Sequence, residues 1–259
     1  MNYGLQISAS GALTSLYRQD VLSNNLANLE TTGFKPDIPA TMQRDAARIE
    51  DGLPYLPSDP LIERLGAGVL AAPNRVSFAQ GPLDSTGRDL DMAIEGDGFF
   101  VLQDEHAQGG DRLRLTRDGR FQLDERGRLV SSTTGMPVLD RTNRPVVIRG
   151  EGRVGVALDG SLTQNGQAIA RLQLVDVPDK SALKKLGANL FAPSANATAS
   201  FGPIDGRVRQ GVLEGSAVNE VAALMAVTSA SRDVQANIGM ITYHDRMMER
   251  AINTFARIA

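Results

Sequence analysis

The stretch NEVAALMAVTSASRDVQANIGMITYHDRMMERAINTF, residues 219–255, decides the fold. Ile238, Ile241, Asp245, Met248, Ile252 and Phe255 follow one another at spacings of three, four, three, four and three. Leu224, Val227, Ser231 and Val234 extend the same register backwards. Such spacing keeps side chains on one helical stripe, and a seam this long without an internal proline predicts a coiled-coil or bundle helix. A helix packed on its own globular core is the alternative that the pattern leaves open. Asn219 reads as the N-cap, and Glu220 suits the positive end of the helix dipole.

Working outward, the opposite end of the chain carries a second stripe. Leu5, Ala9, Ala12, Leu16, Leu22, Leu26 and Leu29 recur mostly at spacings of three and four. Arg18, Gln19, Asp20 and Asn24 fill much of the other side. This helix should stop near Asn28, because Thr31-Thr32-Gly33 follows and Lys35 precedes Pro36, where helical backbone is disfavoured. Two terminal stripes that cannot be buried alone predict helices that pack antiparallel with each other and with neighbours.

Between them, seven prolines from Pro36 to Pro82 mark residues 35–90 as an extended connector. Its one helical-looking piece lies around Thr41 to Ile49. From about Asp91 the period changes to two. Short apolar runs such as Phe99 and Val101, Leu113 and Leu115, or Val154, Val156 and Leu158 are separated by Gly96, Asp118-Gly119, Arg126-Gly127, Gly135, Asp159-Gly160 and Asn165-Gly166. Asp-Gly and Asn-Gly between alternating runs signal hairpins, since both turn residues tolerate positive φ. The fold class is therefore mainly β with terminal α-helices: an antiparallel sandwich or barrel-like domain inserted between paired coiled-coil helices. The expected divisions are 1–34 for the N-terminal helix, 35–90 for the connector, 91–213 for the β domain and 214–259 for the C-terminal helix. A final strand is expected near Arg207 to Leu213, and a fragment spanning 91–213 is expected to fold alone.

Composition narrows the chemistry. With 27 basic and 30 acidic side chains the net charge is -3, which gives no basic excess for nucleic acid. Zero cysteines remove disulfides, thiolate catalysis and Cys-based zinc sites. No apolar run is long enough to span a bilayer, and the first residues carry no cleavable-signal pattern. His106 and His244 lack a second ligand at metal spacing, and His244 reads as a solvated helix residue. Asp89, Asp91, Glu95 and Asp97 could suggest a calcium site or a glycosidase carboxylate pair. They lack calcium-loop spacing, and strand alternation sends them to a solvent face. No phosphate loop, dinucleotide motif or Gly-x-Ser-x-Gly elbow is present, so no catalytic, metal or cofactor site is expected.

Four motifs bear a family resemblance. Ser23-Asn24-Asn25-Leu26-Ala27-Asn28 with Thr31-Thr32-Gly33-Phe34-Lys35 resembles the N-terminal signature of flagellar basal-body rod and hook proteins. Asp91 to Phe100, with Gly96, Gly98 and Phe99, resembles the entry to their β domain. Thr116-Arg117-Asp118-Gly119-Arg120-Phe121 resembles the hairpin that follows, and Gly211 to Asn219, with Glu214 and Val218, the segment opening the C-terminal helix. The chain departs from the pattern at Ala217, where asparagine is common, and at Ser231-Arg232-Asp233-Val234, where an aromatic–acidic pair is usual.

The resemblance implies a structural subunit of the rod, of proximal or distal type, polymerising through its terminal helices into a hollow axial tube that transmits torque and passes export substrates. It implies Leu16, Leu26, Leu224, Val234, Ile238, Ile241, Asp245, Met248, Ile252 and Phe255 as assembly residues. It further implies copies of itself, other rod and hook proteins and the flagellar type III export apparatus as partners, with no nucleic acid and no stable membrane insertion. The implied location is the basal-body rod in the periplasmic space, reached without a cleavable signal peptide. A hook or hook-associated junction protein, and a secreted carbohydrate-acting β-domain protein using Asp89 to Asp97, are the competing readings.

Overall fold

A computed structural model describes residues 3–46, 49, 52, 66–107, 112–150, 152–194, 198 and 201–255. The chain is mainly β with one long helix near each end, and it divides into two units.

The first unit comprises Met1–Ala27, Asp37–Arg75 and Asn219–Ala259. Helix α1 runs over Tyr3–Ala27 and helix α2 over Glu220–Phe255. Asn219 caps α2, its side-chain oxygen accepting from the Ala222 amide at 2.9 Å. The helices lie antiparallel: Gly4 faces His244, Gly11 faces Asn237, the Asn237 amide donates to Ser15 at 3.3 Å, and Arg18 pairs with Asp233 at 3.8 Å. Strands β1 (Asp37–Gln43) and β2 (Val69–Val76) pair, and the antiparallel bridge Ala46–Gly66 extends them. Asn25 holds this ribbon on α1 by donating to the Asp37 carbonyl at 2.7 Å and accepting from its amide at 3.0 Å. Further along α1, Ser10 accepts from the Val69 amide at 3.3 Å. The helical piece expected at Thr41 to Ile49 is thus strand through Gln43, because ladder pairing satisfies its backbone. Residues 47, 48, 50, 51 and 53–65, with Pro54, Pro57 and Pro60, lie outside the described residues.

The second unit comprises Asn28–Pro36 and Val76–Val218. Its strands are β3 (Leu83–Ser85), β4 (Met92–Glu95), β5 (Phe99–Gln103), β6 (Leu113–Thr116), β7 (Phe121–Leu123), β8 (Leu129–Ser131), β9 (Val154–Val156), β10 (Ser161–Gln164), β11 (Gln167–Arg171), β12 (Leu174–Val175), β13 (Leu183–Gly187), β14 (Leu190–Pro193), β15 (Arg207–Gln210) and β16 (Val212–Glu214). A five-stranded antiparallel sheet has the order β12-β5-β6-β14-β13, with Val101 opposite Leu115 and Phe191 opposite Leu115 on its far side. The other strands form a three-stranded sheet, β11-β10-β9, and the pairs β15-β4, β16-β3 and β7-β8. Among the described residues these sheets do not close into a barrel.

Central strand β5 reads Phe-Phe-Val-Leu because both of its faces are covered. Phe99 and Val101 join Leu115, Val175 and Phe191 in one core cluster, while Phe100 and Leu102 join Leu129, Val138, Leu162 and Leu172 in the other. Asn165-Gly166, with φ of 51° and 81°, makes the expected tight turn between β10 and β11. The final strand is split at Gly211, whose φ is 71°.

Asp118-Gly119 is not a hairpin turn. Strands β6 and β7 belong to different sheets, and Gly119 is there for contact, since a Cβ on it would lie 1.5 Å from the Met92 carbonyl oxygen.

Candidate functional site

Two features stand out: the free faces of the helix pair, and a buried charge cluster built by the family-like motifs.

On α2 the residues turned to α1 are Val234 of the seam and a row one position N-terminal to it: Ala223, Ala230, Asn237 and His244. Ala223, Ala230 and Val234 are buried, and Asn237 and His244 meet Gly11 and Gly4. On α1 the buried positions are equally small: Ser8, Ser10, Ala12, Thr14, Val21 and Asn25. Small side chains bring backbones close, and a Cβ on Gly4 or Gly11 would sit 2.8 Å from its opposite side chain. His244 is therefore packed over a glycine and half-buried. The seam residues fall differently. Val234 is buried, and Ile241 and Leu26 are half-buried. Leu16, Leu224, Ile238, Asp245, Met248 and Ile252 are exposed, and Phe255 ends α2. Leu13 is 69% exposed and Ile252 63%, so several large apolar side chains on each helix lie uncovered. Residues 246–255 of α2 run on past the level of Gly4, opposite His244, for about 15 Å at 1.5 Å per residue.

In the second unit Lys35, Arg117 and Glu214 meet although each belongs to a different motif. Glu214 Oε1 accepts from Lys35 Nζ at 2.6 Å and from the Gly81 amide at 3.0 Å, and Oε2 from Arg117 Nη1 at 3.3 Å. Lys35 Nζ also donates to the Ala79 carbonyl at 2.7 Å, and Arg117 Nη2 to the Gly96 carbonyl at 2.9 Å. The Lys35 and Glu214 side chains are both 0% exposed. Burial pushes the Lys35 ammonium below its ordinary range, while the Glu214 carboxylate opposes that shift. The Arg117 guanidinium lies 5.2 Å from the Phe99 ring centroid, and its Nε has no hydrogen-bond partner.

The surrounding motif residues build this cluster. Gly33 has a φ of 68°, donates its amide to the Glu214 carbonyl at 2.7 Å and lies against the backbone of Arg117, 2.6 Å from where its Cβ would be. Phe34 is buried beneath Lys185 Nζ at 4.3 Å, and Asn189 donates to the Thr32 carbonyl at 2.8 Å. Thr116 donates to the Asn189 carbonyl at 2.9 Å. Gly96 and Gly98 turn β4 into β5 at φ of 102° and 134°, and Phe121 packs edge-on to Phe100 at 5.1 Å. Asn28 accepts from Thr31 Oγ1, and the Val218 amide donates to Ser216 Oγ. Asn24 lies exposed on α1. In the sequence Lys35 stands out as the residue before Pro36 and the last of the Thr31–Lys35 motif, with nothing to mark it as a buried cation beyond its place between an apolar Phe34 and a proline.

The acidic residues 89–97 do not converge. Asp97 pairs with Lys180 at 2.6 Å, Glu95 with Arg209 at 3.5 Å and Asp89 with Arg153 at 4.0 Å. Asp91 is buried instead of solvent-facing, because Thr86 Oγ1 donates to its carboxylate at 2.7 Å. His106 sits on an exposed turn, its amide donating to Asp104. Among the described residues no helix is long and apolar enough to cross a membrane.

The comparisons with known proteins agree with the motifs. Residues 5–35 match the flagella basal body rod protein family, residues 93–170 the flagellar hook protein FlgE/F/G D1 domain, and residues 209–254 the flagellar basal body rod FlgEFG protein C-terminal region. The chain is 33% identical over 261 residues to the flagellar basal-body rod protein FlgF of Caulobacter vibrioides, covering 100% of both. It is 32% identical to the flagellar basal-body rod protein FlgG of Buchnera aphidicola, covering 95% of this chain and 97% of that one. It is also 32% identical to the FlgF protein of Rhizobium meliloti, covering 98% of each. This is a family of structural proteins and not of enzymes, and on full-length similarity at this level the chain belongs to it: a flagellar basal-body rod protein.

Proposed function

We propose that the chain polymerises through its two helices into the wall of a hollow axial tube that transmits torque and conducts export substrates. The observation that carries this reading is the division of labour on the helices. Small residues pair α1 with α2 inside one chain, while Leu13, Leu16, Leu224, Ile238, Met248 and Ile252 stay exposed. Covering a large apolar side chain contributes roughly 1.5–3 kcal/mol, so several such positions per subunit supply a strong drive for association between copies. The partners on this reading are copies of the chain and neighbouring rod and hook proteins. The flagellar type III exporter delivers it to the periplasmic rod. Asp245, beside this surface, sets register against a basic residue of a neighbour.

The absence of cysteine allows a direct test. Leu13→Cys and Ile252→Cys, introduced singly and together, should give oxidised dimers and higher species in isolated basal bodies. Cross-links absent from intact rods would contradict assembly through these faces.

A further inference from the structure

We propose that Lys35, Glu214 and Arg117 form a charge-counted latch that seats the segment leading out of α1 and the segment leading into α2 together in the β unit. Residues 32–36 lie between other strands of that unit with few polar groups left over. The Thr32 carbonyl takes the Asn189 amide, the Gly33 amide goes to Glu214 and the Phe34 carbonyl accepts from the Ala217 amide. The Lys35 carbonyl accepts from Lys185 Nζ, and the Pro36 carbonyl from the Ser77 amide. Three stretches far apart in sequence, 32–36, 77–81 and 214–217, thus meet at one residue, Glu214: Gly33 bonds its main-chain carbonyl, and Lys35, Gly81 and Arg117 bond its side-chain carboxylate.

Counting charge separates a latch from plain packing. The cluster holds two cations and one anion, all at 2% side-chain exposure or less. Removing Glu214 leaves two like charges buried together, the costliest state of the site. Removing Lys35 leaves a neutral Arg117–Glu214 pair and a single carbonyl, that of Ala79, without its donor. Seating of the three stretches is therefore conditional on the carboxylate and tolerant of losing the lysine, although both side chains are equally buried. Lys180, with its partner Asp97, is the further cation acting on Lys35 and does not replace either partner.

The test is hydrogen exchange on the purified full-length chain, read at the amides of Gly33, Gly81 and Ala217 and, as control, at Leu115 and Val101 in the β5–β6 ladder. Glu214→Gln should speed exchange at the first three by on the order of a hundredfold, with the control amides far less affected. Lys35→Met should change the same amides by no more than about threefold. Adding Lys35→Met to Glu214→Gln should restore part of the protection, since it relieves the like-charge contact. Equal opening by the two single variants overturns the proposal, as does a double variant worse than Glu214→Gln alone. Where Glu214→Gln proves too unstable to purify, a folded double variant supports the latch and an unfolded one refutes it.

Discussion

Gly119 and Gly33 carry much of the β unit's precision, for different reasons. A Cβ on Gly119 would meet the Met92 carbonyl oxygen, while Gly33 also needs its positive φ. Gly119→Ala should lower the stability of the β unit by about 3 kcal/mol, whereas Gly202→Ala, with open space at its Cβ, should change it by less than about 0.5 kcal/mol. Thermal denaturation of the two variants checks this. Sequence alone marked Gly119 as punctuation, because a glycine needed for positive φ and one needed for close approach look alike in a single chain. Titration is argued at this scale too. Lys180 donates to Asp97, and the Ser161 amide and hydroxyl donate to Asp159, so both carboxyls are held below the ordinary 3.8. Groups with depressed folded values stabilise above the unfolded value and lose that contribution as pH falls through the folded one. The melting temperature should therefore hold down to about pH 4 and drop below it. Asp97→Asn should lessen the drop, and an unchanged acid limb in that variant would count against the Lys180 contact.

At the scale of elements, the periodicity of both helices and the Asn219 cap were legible, as were the Asn165-Gly166 turn and the strand near Arg207. Which helical face pairs within the chain was not. Hydrophobic pattern ranks large side chains first, yet close antiparallel approach favours Ala223, Ala230, Gly4 and Gly11. Ala230, at 0% exposure, is the sharpest probe of this arrangement. Ala230→Glu should bury an unpaired charge and remove much of the helical circular dichroism of the free subunit. Leu13→Asp, at an exposed position, should leave that spectrum unchanged. The reverse outcome would mean that the leucine stripe, not the small-residue face, holds α1 to α2. Within the expected connector, the ribbon of β1 with β2 was hidden from sequence because each strand needs α1 beneath it.

For the whole molecule, the buried charge cluster was invisible to sequence because its members are 82 and 97 residues apart, from Lys35 to Arg117 and from Arg117 to Glu214. It bears on which fragment folds. A piece spanning 91–213 lacks Lys35, Glu214, Phe34 and Phe78, and Phe78 packs at 5.6 Å on Phe99 and 5.2 Å on Phe191. That piece should unfold at lower denaturant than one joining Asn28–Pro36 to Val76–Val218, the division that the contacts favour. Identical midpoints would show the flanking segments to be dispensable. The central claim concerns assembly, and one measurement tests it most directly: motility, with electron microscopy of basal bodies, in strains whose only copy carries Leu13→Asp, Ile252→Asp or Asp89→Ala. The account predicts non-swimming cells without complete rods for the first two, from subunits whose circular dichroism is normal, and intact rods for Asp89→Ala. Swimming cells with normal rods in the Leu13→Asp and Ile252→Asp strains would contradict it.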